Sequence, residues 1–402
     1  MVPSRHFPVL PRQSIWEQIP MNDGIAIIGF GYSGFARATR SKSYKELMFE
    51  AASNAYSDAD IDVRKDVGSF VCCEEDLWEG TSIADEYVPD QIGAALRPTC
   101  TVTNDGLGGL ATAFMQIRSG LADVVVVEAH SKLSDVSSKD DVARFAYDPV
   151  FARDLASDPL MLAGLEMNRF LHESGNDREA CADVASLNMA NGLSNERASY
   201  GGRSTPAEVL SSETLAFPLT ALETSRPADA CLVFVISSDR LAKASKNQPV
   251  WIRGIGWASS TPWIQSMDMA HAAYARLSSA VAYRMAGLAE PKADLYEVDD
   301  TFAYKELQHL EAIGVCGEGT SGKMIRKGCF SPDGDIPVNV SGGSLGVGHL
   351  VEASGLHRAM EACIQLRGQA GRMQIKGARS AIVQAWRGLP TSSGAVAVLE
   401  AE

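Results

Sequence analysis

Nowhere in the 402 residues does an apolar run reach the ~18 to 20 positions that a membrane span needs. The opening twenty residues lack the apolar core of a signal peptide, carrying Arg5, Arg12 and Glu17 among the prolines Pro3, Pro8, Pro11 and Pro20. A cytoplasmic protein with no membrane partner is expected. Positive charge is also short: 36 Lys and Arg against 50 Asp and Glu give a net charge of -14. That excludes a protein that tracks nucleic acid, which needs clustered cations. The eight cysteines (Cys72, Cys73, Cys100, Cys181, Cys231, Cys316, Cys329 and Cys363) form no C-x-x-C pair. Neither a zinc ribbon nor a disulfide framework is indicated, no metal site is expected, and most of these thiols read as small buried hydrophobes.

What is present is a globular balance of 46% apolar and 21% charged residues, in a chain long enough for one large or two ordinary domains. Gly24 to Gly31 reads as a strand buried on both faces. Its Gly29-x-Gly31-x-x-Gly34 spacing is not a dinucleotide fingerprint, because no clean helix follows and no acidic strand end falls at the required distance. A helix is expected from Ser43 to Ala59, a strand over Gly68 to Cys73, a helix over Ala84 to Leu96 and a strand at Cys100 to Val102. Asn104 to Ala111 then forms a glycine-rich turn that opens a helix ending at Gly120, followed by the strand Ala122 to Val127. The same order recurs near the C-terminus, and Val250 to Gly256 echoes Gly24 to Gly31. The chain divides into an N-terminal extension, 1–20, a first half, 21–245, and a second half, 246–402. A polar helical insertion, 131–215, with its better helices at Met161 to His172 and Cys181 to Met189, is expected to form a lid.

The densest stretch is Ser341 to Gly355, where glycines and serines precede His349 and an amphipathic run (Leu356, Met360, Cys363, Leu366) follows. Such a turn delivers a histidine to the mouth of a helix, whose unpaired N–H groups suit a thioester oxygen or a phosphate.

Asn339-Val340-Ser341-Gly342-Gly343, Gly348-His349, Ala353-Ser354-Gly355 and Gln365-Leu366-Arg367-Gly368 together resemble the C-terminal signature of the thiolase superfamily, in its archaeal and sterol-carrier-protein-2 forms. The resemblance implies a thiolase-like five-layer αβαβα fold of the α/β class, built from two repeated halves with a helical loop insertion that binds coenzyme A. It implies an acyl-CoA substrate, no covalently bound cofactor, and a homo- or heterodimer. Gly342, Gly343 and Gly388 fall where the family shapes its ligand-binding backbone.

The family's covalent chemistry is missing. Its nucleophilic cysteine opens the text C-A-S-G-G-L-A; this chain has Asp105-Gly106-Leu107-Gly108-Gly109-Leu110-Ala111, with aspartate at the nucleophile. Glu297-Val298-Asp299-Asp300-Thr301-Phe302 resembles E-V-H-D-C-F, with Asp299 replacing a histidine and Thr301 an acid–base cysteine. Trp386 stands where a further cysteine precedes glycine, so of the family's catalytic groups only His349 remains. Two readings follow. One is retro-aldol cleavage of a β-hydroxyacyl-CoA, with His349 as oxyanion donor and Asp105 or Asp299 as a base raised toward neutrality by like charge. The segment Gly388-Leu389-Pro390-Thr391-Ser392 is similar to text in thiolase-like steroid side-chain aldolases, which carry tyrosine where His349 stands. The other is a catalytically silent subunit that holds an active partner or a small accessory protein with a zinc ribbon and OB fold. In that reading Asp105 is only a helix cap, and Asp299-Asp300 is a solvated pair.

Overall fold

The computed structural model describes residues 24–75, 84–136, 147–154, 158–261, 263–388 and 392–402. The extension, 1–20, lies outside them, as do parts of the insertion and the Leu389-Pro390-Thr391 text. Nine strands form one mixed sheet: β1 (Ile25–Ala36), β2 (Ser69–Cys73), β3 (Thr99–Val102), β4 (Val124–Ser131), β7 (Asp229–Ser238), β8 (Val250–Ser259), β9 (Leu295–Glu297), β10 (Ser380–Arg387) and β11 (Ser393–Glu400). A two-stranded ribbon, β5 (Thr214–Ala216) and β6 (Leu219–Thr220), stands apart.

The order β3-β2-β4-β7-β1-β8-β11-β10-β9 contains the same motif twice. In each half the first and last strands pair antiparallel (β1 with β7, β8 with β11), and a parallel pair lies beyond (β2 with β4, β9 with β10). The halves meet through β1 and β8 at Ala26–Trp251 and Ile27–Val250.

Helices complete five layers. α1 (Tyr44–Ala59) covers the outer face of the first half, starting from a Ser43–Glu46 capping box and burying Leu47, Met48, Ala51 and Ala55. α2 (Gly106–Arg118) and α8 (Ser354–Leu366) lie between the halves, in one apolar core with Val71, Leu232, Val383 and Ala397. α5 (Ala273–Ala286) covers the outer face of the second half, where α3 (Pro159–Ser174), α4 (Arg178–Gly192) and α6 (Ala303–Ala312) join a second core. Gly31 and Gly256 occupy equivalent places. A side chain on either would overlap a backbone carbonyl of the covering helix, Ala51 of α1 or Ser278 of α5. The Gly29-x-Gly31 spacing is therefore a helix-packing device.

One expectation is corrected: the helix over Ala84 to Leu96 is only Ala84–Tyr87, because Pro89 follows and the chain turns left-handed at Gly93 and Leu96. α8 is amphipathic as expected, and its polar face is buried along with its apolar one, since it is the central layer.

Candidate active site

Asp105 begins α2 as its N-cap: one carboxylate oxygen accepts from the Leu107 amide at 2.9 Å, and the other accepts from the Gly355 amide of α8 at 2.8 Å. One carboxylate thus closes the N-termini of both central helices, where two positive dipole ends meet. Gly355 has to be glycine, since a Cβ there would overlap the carboxylate. One of the α8 donors expected to face a thioester or phosphate, the Gly355 amide, is held by Asp105. Burial pushes the Asp105 carboxyl up to about 7, against the pull of the two amides and of Arg358, with a smaller upward push from Asp299. The dominant cause is desolvation, not the like charge expected from the sequence.

Asp299 and Asp300 are both fully buried, which corrects the reading of a solvated pair. Asp299 accepts from the Thr301 amide at 3.0 Å and lies 2.7 Å from the Arg358 guanidinium. Burial works to raise Asp299, but Arg358, His309, the Thr301 amide and His349 outweigh it and hold the carboxyl below its usual range. Asp299 is held as a carboxylate paired to Arg358. Asp300 accepts from the amides of Ser344 at 2.6 Å and Leu345 at 3.1 Å, so it caps the short helix α7 (Gly343–Val347), and from Asn188 Nδ2 at 2.9 Å. The glycine-rich turn spends its donors on Asp300. Gly342 (φ 102°) and Gly343 (φ 56°) shape that turn, packed against Gly192 and the Asp300 carboxylate.

His349 is half-buried, while Asp105 and Asp299 are buried. Its amide donates to Arg226 O at 2.7 Å and its carbonyl accepts from the Ala228 amide at 3.0 Å, which fastens it beside the entry to β7. His349 acts electrostatically on Asp299, and Asp299 and Arg358 act on Asp105, so the three residues singled out in the sequence are electrostatically linked. Thr301 joins them: its hydroxyl is buried with no hydrogen-bond partner among the described residues. Trp386 is also buried, edge-on to Phe302, with Lys305 Nζ 4.3 Å from its ring centre, and its ring covers Gly388. Leu107 packs into the central core.

Sequence reading missed the residue that organises these charges. Arg358, fully buried in α8, pairs with Asp299, donates to Val298 O at 3.1 Å and donates to Ser344 Oγ at 2.7 Å. It also missed a buried chain in which Lys305 Nζ donates to Glu166 at 2.6 Å and to Tyr274 Oη at 3.2 Å, and Tyr274 stands 2.8 Å from His309 Nε2. His309 Nδ1 lies 3.1 Å from the Asp299 carbonyl and must carry the proton there, so Nε2 accepts from Tyr274. Burial drives His309 down to about 3, which keeps it neutral. Nothing local marks these residues, since α6 and α8 carry other polar residues besides Lys305, His309 and Arg358, among them Glu306, Gln308 and Glu361. Cys73, the thiol beneath Gly109 of α2, is pushed well above its usual range by burial, with Glu128 and Asp105 adding to the effect.

Residues 256–401 match a family described as thiolase C-terminal domain-like. The chain is 28% identical to an acetyl-CoA acetyltransferase of Methanothermobacter thermautotrophicus, over 88% of this chain and 94% of that protein. It is 26% identical to sterol carrier protein 2 of Gallus gallus, over 90% of this chain and 69% of that protein. Among solved structures, an Ltp2-ChsH2(DUF35) aldolase shares the fold with a TM-score of 0.81, at 24% identity over 95% of this chain and 98% of that one. A monomeric SCP2-thiolase-like protein of Mycobacterium smegmatis gives 0.70 at 18% identity, over 94% of this chain and 77% of that one. The layered two-half architecture is the thiolase fold.

Proposed function

The chain belongs to the thiolase superfamily, in its sterol-carrier-protein-2 branch, and we propose that it cleaves a β-hydroxyacyl-CoA by a retro-aldol step without an acyl-cysteine intermediate. The observation that carries this reading is Asp105, a buried carboxyl at the nucleophile position held near neutrality. A base poised near pH 7 suits removal of the substrate's hydroxyl proton. As that proton moves to Asp105, the O–H electron pair forms a carbonyl and the Cα–Cβ bond breaks. Its electrons pass to the thioester as an enolate, and a proton returned to Cα gives the shortened acyl-CoA. His349 and the Thr301 hydroxyl donate to the thioester oxygen as charge develops. Asp299, kept ionised by Arg358, supplies negative charge to the imidazole's surroundings and is not the base. Gly342, Gly343 and Gly388 shape the backbone around the thioester, and the helices of the insertion cover the CoA moiety. The likeness to an Ltp2-ChsH2(DUF35) aldolase supports the reaction class, and that protein's two-part name supports an accessory subunit as partner.

A specific observation favours the second reading, a silent subunit: both Asp105 oxygens already accept backbone hydrogen bonds, and Trp386 packs beside Gly388. Product analysis separates the two. Incubation with β-hydroxyacyl-CoA substrates, with any co-purifying partner retained, is expected to release a carbonyl compound and a shortened acyl-CoA, with no acyl adduct in the intact-protein mass. Absence of both products, or turnover unchanged by Asp105→Asn in the complex, would favour the silent subunit.

A further inference from the structure

On the face of the first-half sheet turned away from Asp105, metal-binding side chains from three strands sit together. Cys72 of β2 stands opposite Glu128 of β4, and His130 of β4 opposite Cys231 of β7. Alternate strand residues share a face, so all four project to the same side, and Glu74 follows Cys72 in the same alternation. None of the five is more than 1% exposed. Cys72 Sγ and carboxylate oxygens of Glu74 and Glu128 lie within 4.8 Å of one another. Glu128 Oε1 is 2.9 Å from His130 Nδ1 and accepts from Cys231 Sγ at 3.4 Å. The other oxygen of Glu128, Oε2, is buried with no hydrogen-bond partner among the described residues. A fully buried carboxylate with an unused oxygen is costly unless a ligand completes it.

We propose that Cys72, Glu74 and Glu128, with His130 beside them, bind a divalent ion of the zinc class that ties β2 to β4. A thiolate beside two carboxylates, with an imidazole hydrogen-bonded to one of them, is a borderline ligand set that favours zinc over magnesium or calcium. A metal-bound cysteine is a thiolate, so the Cys72 thiol gives up its proton. Binding forms the sulfur–metal bond and releases that proton to solvent. The site lies across the sheet from the reacting groups and is covered by α1, whose Tyr44 stacks on His130 with ring centres 5.5 Å apart. Its role is structural and independent of the proposed reaction. No sequence motif marks it, because the ligands come from strands that become neighbours only in the folded sheet.

The test is metal analysis of protein purified without chelator, followed by stripping and reloading with Co²⁺. About one zinc per chain is expected. Cobalt loading should give a near-ultraviolet thiolate charge-transfer band accompanied by proton release. Cys72→Ser should lose the band and Glu128→Gln most of the bound metal, whereas Cys181→Ser, in α4, should keep both. Should the variants fail to fold, the wild-type protein decides. Little metal, no thiolate band and no rise in Tm with Zn²⁺ would overturn the proposal, as would a band that survives Cys72→Ser.

Discussion

The Asp105 carboxylate accepts a hydrogen bond from the Gly355 amide at 2.8 Å, joining the first turn of one central helix to the first turn of the other across most of the chain. In the thiolase pattern the residue at this junction is the sulfur that attacks substrate. Here it is a carboxyl that bridges two helix ends and titrates near neutrality. In the proposed reaction, structural and chemical roles are combined in this one side chain.

Gly355→Ala tests that junction directly. The added methyl overlaps the carboxylate, so Asp105 must leave the α8 amide. The expected loss is about 1 to 3 kcal/mol of stability, the cost of leaving a buried donor unpaired. Chemical denaturation of the variant against wild type measures it, and an unchanged midpoint would show that the bridge contributes nothing.

Arg358 neutralises the buried acids around it, so Arg358→Met should destabilise by about 3 to 5 kcal/mol through the uncompensated charge on Asp299. Arg358→Lys should rescue little, because a single ammonium does not reproduce the contacts to Asp299, Ser344 and Val298 O together. Thermal unfolding of the two variants gives the comparison.

Stability should fall as pH rises from 4.5, the ordinary carboxyl value, to about 8. Burial, with Glu361 adding to it, raises the Glu297 carboxyl to about 8; burial, with Asp300 adding to it, raises Glu306 to about 8. A carboxyl whose folded pKa is raised stabilises the fold fully below its unfolded pKa, and that contribution is lost as pH climbs through the folded value. Glu306→Gln keeps a neutral acceptor beside Asn188 and Asn339, so its Tm should decline less over this range. Equal slopes for variant and wild type would remove Glu306 from the effect.

The repeated order of strands and central helices was legible because local signals agreed with the fold: the helix expected from Ser43 to Ala59, the glycine-rich turns before α2 and α8, and the apolar runs of β1 and β8. The linking of Asp105, Asp299 and His349 was legible through the family pattern. Arg358 and the Glu166–Lys305–Tyr274–His309 chain were not, because each buried charge depends on partners far away in sequence. Asp299-Asp300 misled for the same reason. An acidic pair reads as solvated until a buried arginine and a helix N-terminus are brought to it.

The measurement that bears most directly on the central claim is the pH dependence of kcat/KM for β-hydroxyacyl-CoA cleavage by wild type and Asp105→Asn, with any partner retained. Activity of the wild type should rise with pH through an inflection near 7, as Asp105 loses its proton. The asparagine variant should fall at least about 100-fold and lose that inflection. An identical profile at comparable rate in the variant would contradict the account.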